Sequence, residues 1–438
     1  MPPCPSPSAS SASPSWRFSS DRVDAAITQH GGHLAPVKFR LPHGVVEPYS
    51  VAPWAEEKPA DKIPHLLRLL RGDFLCAPFG GSESAYRGEQ HPPHGETANA
   101  AWTFESLEKD AARTTLHLSL RTKIRPGRVE KFIGLRRGET ALYCRHVFSG
   151  FSGRMNLGHH ATLKFSDAPG AHEQGLVATS PIAFAQVLPV PFEKPEEGGY
   201  SSLKPGAAFT RLDQVPAADG TTADLSRYPA RRGFEDLVMI THEAAPDFAW
   251  TAVTFPAQRY VWFALKDPRV LRSTVLWHSN GGRHYAPWSG RHTGVLGLED
   301  VTSLFSSWAR GIGAGEPGEP SRHRDVPHAR PEAAVGGELH HGRRGGPARL
   351  GRREGDCARA GRDRAAVREG PRRARGGGCG VFAVAVAAVC DPPPSRGARR
   401  LPLHRSRLRK AVDSRRGIFA FPPRSYERGY ESGLLPSR

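Results

Sequence analysis

Short runs in which apolar and polar residues alternate, each closed by a Gly or Pro turn, constrain this chain more than any other feature. In residues 115–124, TLHLSLRTKI, Leu116, Leu118 and Leu120 fall on one face and His117, Ser119 and Arg121 on the other. That period of two is the signature of a half-buried strand. RPGR at 125–128 then supplies a turn, and a second run continues through another turn at Arg137-Gly138. RYVWFALKD (259–267) and LRSTVLWHSN (271–280) are β-branched and aromatic, and Asp267-Pro268 breaks the chain between them. Helical periodicity is weak except in IPHLLRLLRGDF (63–74), which can hold one or two turns. No internal repeat and no strand–helix alternation is visible. Many strands joined by short turns predict an all-β sandwich or barrel.

Charge divides the chain. Its 61 Lys and Arg outnumber 43 Asp and Glu, a net of +18. Residues 308–438 hold 28 of those bases against 13 acids, which leaves 33 against 30 in the body. The high isoelectric point therefore belongs to the tail and says nothing about partners of the body, where a nucleic-acid reading would need a basic face. The arginine run has almost no interleaved aromatics before its last stretch, so base stacking is unsupported. Six scattered cysteines form no CxxC pair, which argues against zinc ribbons and thiol–disulfide motifs and fits a reducing, cytoplasmic compartment. Residues 1–16 are Pro/Ser-rich and read as a disordered leader. VFAVAVAAVC (381–390), the most apolar part of the tail, is too short to cross a bilayer. No membrane or nucleic-acid partner is expected.

Several segments concentrate polar groups beside glycine and aromatics: RGDFLCAPFGG (71–81), HPPHGETANAAW (91–102), NLGHHATLKF (156–165), WHSNGGRHYAPWSGRH (277–292) and GLED (297–300). Arg, Asn and Glu can bond sugar hydroxyls, and Trp or Tyr can stack on a pyranose. A His with a Glu also suits general acid–base work, because His titrates near neutrality and burial tunes Glu upward. Blander readings exist for each. His94 can cap a turn, Arg71 can be a surface charge, and Glu299 can be a solvated edge carboxylate. His159 and His160 are adjacent, so on a strand they face opposite sides. The histidine spacings match no metal motif, so neither metal nor other cofactor is expected.

Taken in order, these segments resemble the galactose-mutarotase (aldose 1-epimerase) superfamily over residues 17–307. An early GGHLAPV turn is followed by the Arg-Gly segment, the His-Gly segment, a mid-chain His on a strand and a Glu near the end. SVAPWAEEK, HPPHGETAN, GFEDLVMI, ALKDPRVLRST and SNGGRHYAPW look like a bacterial subgroup with no assigned substrate. The resemblance implies an antiparallel β-supersandwich with a sugar site on a concave sheet face. It implies Glu299 as general base, His160 as general acid, and Arg71 and His94 as sugar-binding residues. The family's Asn-His pattern is here Gly-His-His-Ala, so His159 stays open as the acid or as a substrate contact. Asp236 is the candidate for the family's Asp near the sugar hydroxyls, which has no direct match in the motifs. Arg71, His94, His160 and Glu299 are expected to meet in one open cleft.

The implied activity is isomerase chemistry of carbohydrate metabolism, anomer exchange on a small-molecule sugar. A non-catalytic carbohydrate-binding or sensing module on the same fold is the alternative. Neither fixes an oligomeric state. The tail, residues 308–438, is expected to be disordered or non-native. Its bases are arginine except for Lys410, and its character changes just after GLEDVTSLFSS. One choice of codons for GELHHG (337–342), read one nucleotide forward, gives Val-Asn-Tyr-Ile-Met, a strand-like peptide. The tail therefore reads as a frameshift product.

Overall fold

A computed structural model describes residues 14–57, 63–81, 85, 88–166, 174–243, 248–303 and 379–390. The chain opens with four strands in sequential order, β1 (Ser15–Ser19), β2 (Val23–Thr28), β3 (Leu34–Leu41) and β4 (Gly44–Val46). The expected leader boundary at residue 16 falls too late, because Trp16 is buried within β1 and pairs with Ile27. The helical run yields one short helix, α1 (His65–Leu69). β5 (Leu75–Cys76) precedes a four-strand meander of β6 (Thr103–Lys109), β7 (Arg113–Thr122), β8 (Gly127–Arg136) and β9 (Ala141–Ser149). β10 (Gly158–Lys164), β11 (Gly175–Thr179) and β12 (Ile182–Val187) follow, then the two-residue strands β13 (Ala208–Phe209), β14 (Val215–Pro216), β15 (Thr222–Ala223) and β16 (Arg227–Tyr228). The long strands β17 (Phe234–His242), β18 (Ala249–Phe255), β19 (Tyr260–Lys266), β20 (Ser273–Asn280) and β21 (Val295–Val301) complete the body.

These strands build two large antiparallel sheets, as the alternation predicts. One has seven strands in the order β13-β12-β17-β20-β21-β10-β5, and the other has nine. Leu116, Leu118 and Leu120 of β7 are buried between the sheets, with Val238 and Ile240 of β17 and Leu296 and Leu298 of β21. The seven-stranded sheet is also covered on its other face. There Leu237, Met239, Val275, Trp277 and Val301 meet Trp54, Phe74, Phe79 and Trp288 from the loops. Period two explains both clusters: successive residues of each strand serve opposite faces. Because both faces are covered, β20 and β21 are buried at every position.

The tail departs from its expectation in one segment. β22 (Cys379–Cys390) runs antiparallel between β9 and β19, inside the nine-stranded sheet, whose order is β16-β11-β18-β19-β22-β9-β8-β7-β6. Two facing strand edges demand hydrogen-bond partners, and an apolar run without charges is compatible with that central place in the sheet. The rest of the tail, and the proposed domain end at residue 307, lie outside the described residues. Among the described residues no helix is long and apolar enough to cross a membrane.

Candidate active site on the covered face of the seven-stranded sheet

His160 and Glu299 are direct cross-strand partners in the β10–β21 ladder. Their side chains meet on the loop-covered face, with Nε2 of His160 3.4 Å from Oε1 of Glu299. Gly297, two residues before Glu299, keeps room for the carboxylate. A Cβ at that position would stand 2.9 Å from both Glu299 Oε1 and Trp277 Cβ. The imidazole is the last ring of a stack: His33 lies on Phe74 at 4.3 Å and Phe74 on His160 at 4.6 Å. Trp277 and His94 stand edge-on to it, at 5.8 and 4.9 Å. Nδ1 of His160 is buried without a partner.

Burial dominates the electrostatics. Glu299 is 3% exposed and its carboxyl is pushed up to about 8, with the Arg283 cation opposing the shift. Burial also holds His160 well below the usual histidine range, helped by repulsion from His94. Desolvation disfavours whichever form is charged, so both shifts point to an uncharged pair. The pair is enclosed by Phe74, Phe79, Trp277 and His94. The expected open cleft is therefore closed at this point.

His94 is the partly exposed member of the group, held at φ 59 in the left-handed region. Non-glycine residues sit there at a cost and concentrate at functional positions. Gly95 makes the turn possible: at φ 74, any Cβ would fall 2.1 Å from the Ala77 carbonyl oxygen. Arg71 is buried behind the ring stack. Its Nη1 pairs with Glu56 at 2.9 Å, its Nε donates to the Leu69 carbonyl that also receives His33 Nδ1, and its buried Nη2 has no partner. Arg71 thus borders the site through His33 and does not contact the pair itself.

Two expected contacts lie elsewhere. His159 points to the opposite face, where Nδ1 meets Asp73 at 3.2 Å and the ring approaches His146. Asp236 also faces away: it accepts hydrogen bonds from Ser202 and the Leu203 amide and pairs with Arg231 at 3.4 Å. The acid on the site face is its neighbour Glu235, fully buried, which accepts from Trp277 Nε1, Ser279 Oγ and the Gly282 amide. Burial raises Glu235 to about 7. Strand alternation puts one member of the Glu-Asp doublet on each face, but apolar residues flank both and the sequence alone does not choose.

Arg283 was also missed. It follows β20 in the loop 281–294, and its Nε donates to Glu193 Oε1 at 2.6 Å. Its guanidinium lies over Trp288, Phe192 and Trp277 at 4.5, 5.0 and 5.5 Å. Tyr285 donates its hydroxyl to the same glutamate. The Arg and aromatic residues in WHSNGGRHYAPW were a signal for this cluster, but their partner Glu193 lies 90 residues upstream. Among the described residues no group of three or more His, Cys, Asp or Glu is placed to hold a metal ion.

No family model and no curated protein matches the chain. Solved structures do. A proposed aldose 1-epimerase from Escherichia coli K12 is 12% identical at TM-score 0.49, covering 86% of this chain and 99% of that one. A galactose mutarotase related enzyme from Lactobacillus acidophilus is 13% identical at TM-score 0.43, covering 66% and 86%. An aldose epimerase homologue from C. elegans is 12% identical at TM-score 0.43, covering 66% and 90%. In structure, the chain is similar at low identity to aldose 1-epimerase and galactose mutarotase-like proteins.

Proposed function

We propose that the protein interconverts the anomers of an aldose by acid–base ring opening at the His160–Glu299 pair. The observation that carries this reading is the register that sets the imidazole 3.4 Å from the carboxylate on a ring-lined sheet face. Anomer exchange needs one group to take the proton of the C1 hydroxyl and another to give a proton to the ring oxygen. Glu299 is the base and protonated His160 the acid. The bond from C1 to the ring oxygen breaks, and the C1 hydroxyl oxygen becomes the carbonyl of the open aldehyde. Rotation about C1–C2 exposes the other carbonyl face. Reclosure returns both protons, so the cycle needs no electron acceptor. Arg71, through its unpartnered Nη2, and His94 are the hydroxyl-binding groups in this reading.

The cycle requires one proton on the pair, which titrates as a unit. With Glu299 raised to about 8 and His160 lowered, that state spans the neutral range. Exchange is expected to fall as pH rises through about 8, where the pair loses its proton. Proton NMR of anomer exchange across a panel of aldoses, followed against pH, checks both the activity and the limb. In Glu299→Gln the rate is expected to drop by about 10²–10⁴, since the amide keeps the shape but cannot accept the proton. Unchanged exchange in that variant would remove the base role. A parent that binds a sugar and exchanges none is a carbohydrate-binding module instead.

A further inference from the structure

Glu299 lies between opposing influences. The titratable groups facing it are His160 on β10, Cys76 on β5 and Arg283 on the loop after β20. Asp300, the next residue, points to the opposite face and pairs with Lys266 at 2.5 Å. Burial holds the Cys76 thiol well above its ordinary range, which leaves it uncharged. Arg283 is therefore the one permanent charge in this set. Trp277 links the two geometrically: the Arg283 guanidinium lies over its ring at 5.5 Å, the ring stands edge-on to His160 at 5.8 Å, and a Cβ added at Gly297 would stand 2.9 Å from both Trp277 Cβ and Glu299 Oε1. Glu235, hydrogen-bonded to the edge of the same indole, and Glu193 face Arg283 from other elements and draw on its charge.

We propose that Arg283 is a positioning residue for the pair's proton, drawing it off Glu299 toward His160, and that Glu235 tempers this pull. The proposal rests on the acid–base reading of the pair, and it supplies what that reading lacks. Burial favours the uncharged pair, with the proton on Glu299, whereas ring opening as written starts from ionised Glu299 and protonated His160. A buried guanidinium lying over the indole that stands edge-on to His160 is the group whose charge offsets burial in the required direction. Its placement is specific, since it is clamped by Glu193 and layered on Trp288 and Phe192.

Infrared titration of the Glu299 carboxyl, assigned by subtracting Glu299→Gln in the same background, tests this without any sugar. Arg283→Gln is expected to raise the carboxyl's proton affinity about tenfold, one pKa unit. Glu235→Gln keeps the side-chain shape and leaves Arg283 its Glu193 partner, and it is expected to shift the same carboxyl downward. Loss of packing alone would not move the titration in opposite directions in the two variants. A folded Arg283→Gln protein that titrates like the parent overturns the proposal, as does a Glu235→Gln protein without a downward shift. Should Arg283→Gln fail to fold, Glu235→Gln decides alone. A protein that exchanges no aldose but shows both shifts sinks the mutarotase reading and keeps Arg283's hold on the carboxyl. Exchange without the shifts does the reverse.

Discussion

Glu299 works against the fold that holds it. A carboxyl raised from its ordinary value to about 8 binds its proton more tightly in the folded chain than in the unfolded one. Its contribution to stability is therefore complete below the unfolded value. It declines as pH rises through the neutral range and is lost above about 8. Glutamine carries no such dependence. The stability of Glu299→Gln relative to the parent is expected to climb with pH from about 4.5 to about 8 and then level off. Urea unfolding of both proteins at a series of pH values measures this, and a constant difference would show that the carboxyl is not desolvated. A residue that weakens the domain where it is needed is the usual mark of a working site. His94 shows the same tension in its backbone, held left-handed beside a glycine that nothing larger can replace.

At the scale of the strand, a period of two decides which member of each polar doublet can act. His159-His160, Glu235-Asp236 and Glu299-Asp300 each put one side chain on the loop-covered face and its neighbour between the sheets. The alternation that made the fold legible also announced that each doublet splits. It could not say which way, because apolar residues line both faces of this sheet. The likeness to a known family singled out His160 and Glu299, which the register then brings together. Neither route reached Arg283, whose environment is built by Glu193, Phe192 and Trp288 across loops. The split predicts a contrast between neighbours. His160→Asn is expected to abolish exchange with little loss of fold. His159→Asn is expected to cost about 3 kcal/mol by leaving Asp73 without its buried partner, while the exchange rate per folded molecule is kept. Comparable losses of rate in both variants would contradict the face assignment.

For the whole molecule, the slot between β9 and β19 sets what any continuation of the chain beyond residue 303 has to provide. Here Cys379–Cys390 fills it, with residues 260–266 paired to one side and 141–149 to the other. Left empty, it would expose two long strand edges in the middle of the nine-stranded sheet, each a template for pairing with another chain. On the reading that residues 308–438 are out of frame, an in-frame continuation such as the Val-Asn-Tyr-Ile-Met peptide would have to meet the same demand. Two measurements separate the possibilities. Resequencing the gene through codon 307 settles the frame: the same arginine-rich tail in independent clones would defeat the frameshift. Proline at Val384, where β22 pairs with both Lys266 and Cys144, tests the strand itself. It removes a ladder donor and is expected to destabilise the domain by about 3 kcal/mol or drive it into aggregates. A Val384→Pro protein as soluble and stable as the parent would mean that β22 contributes nothing to the sheet. The slot would then await the chain's in-frame end.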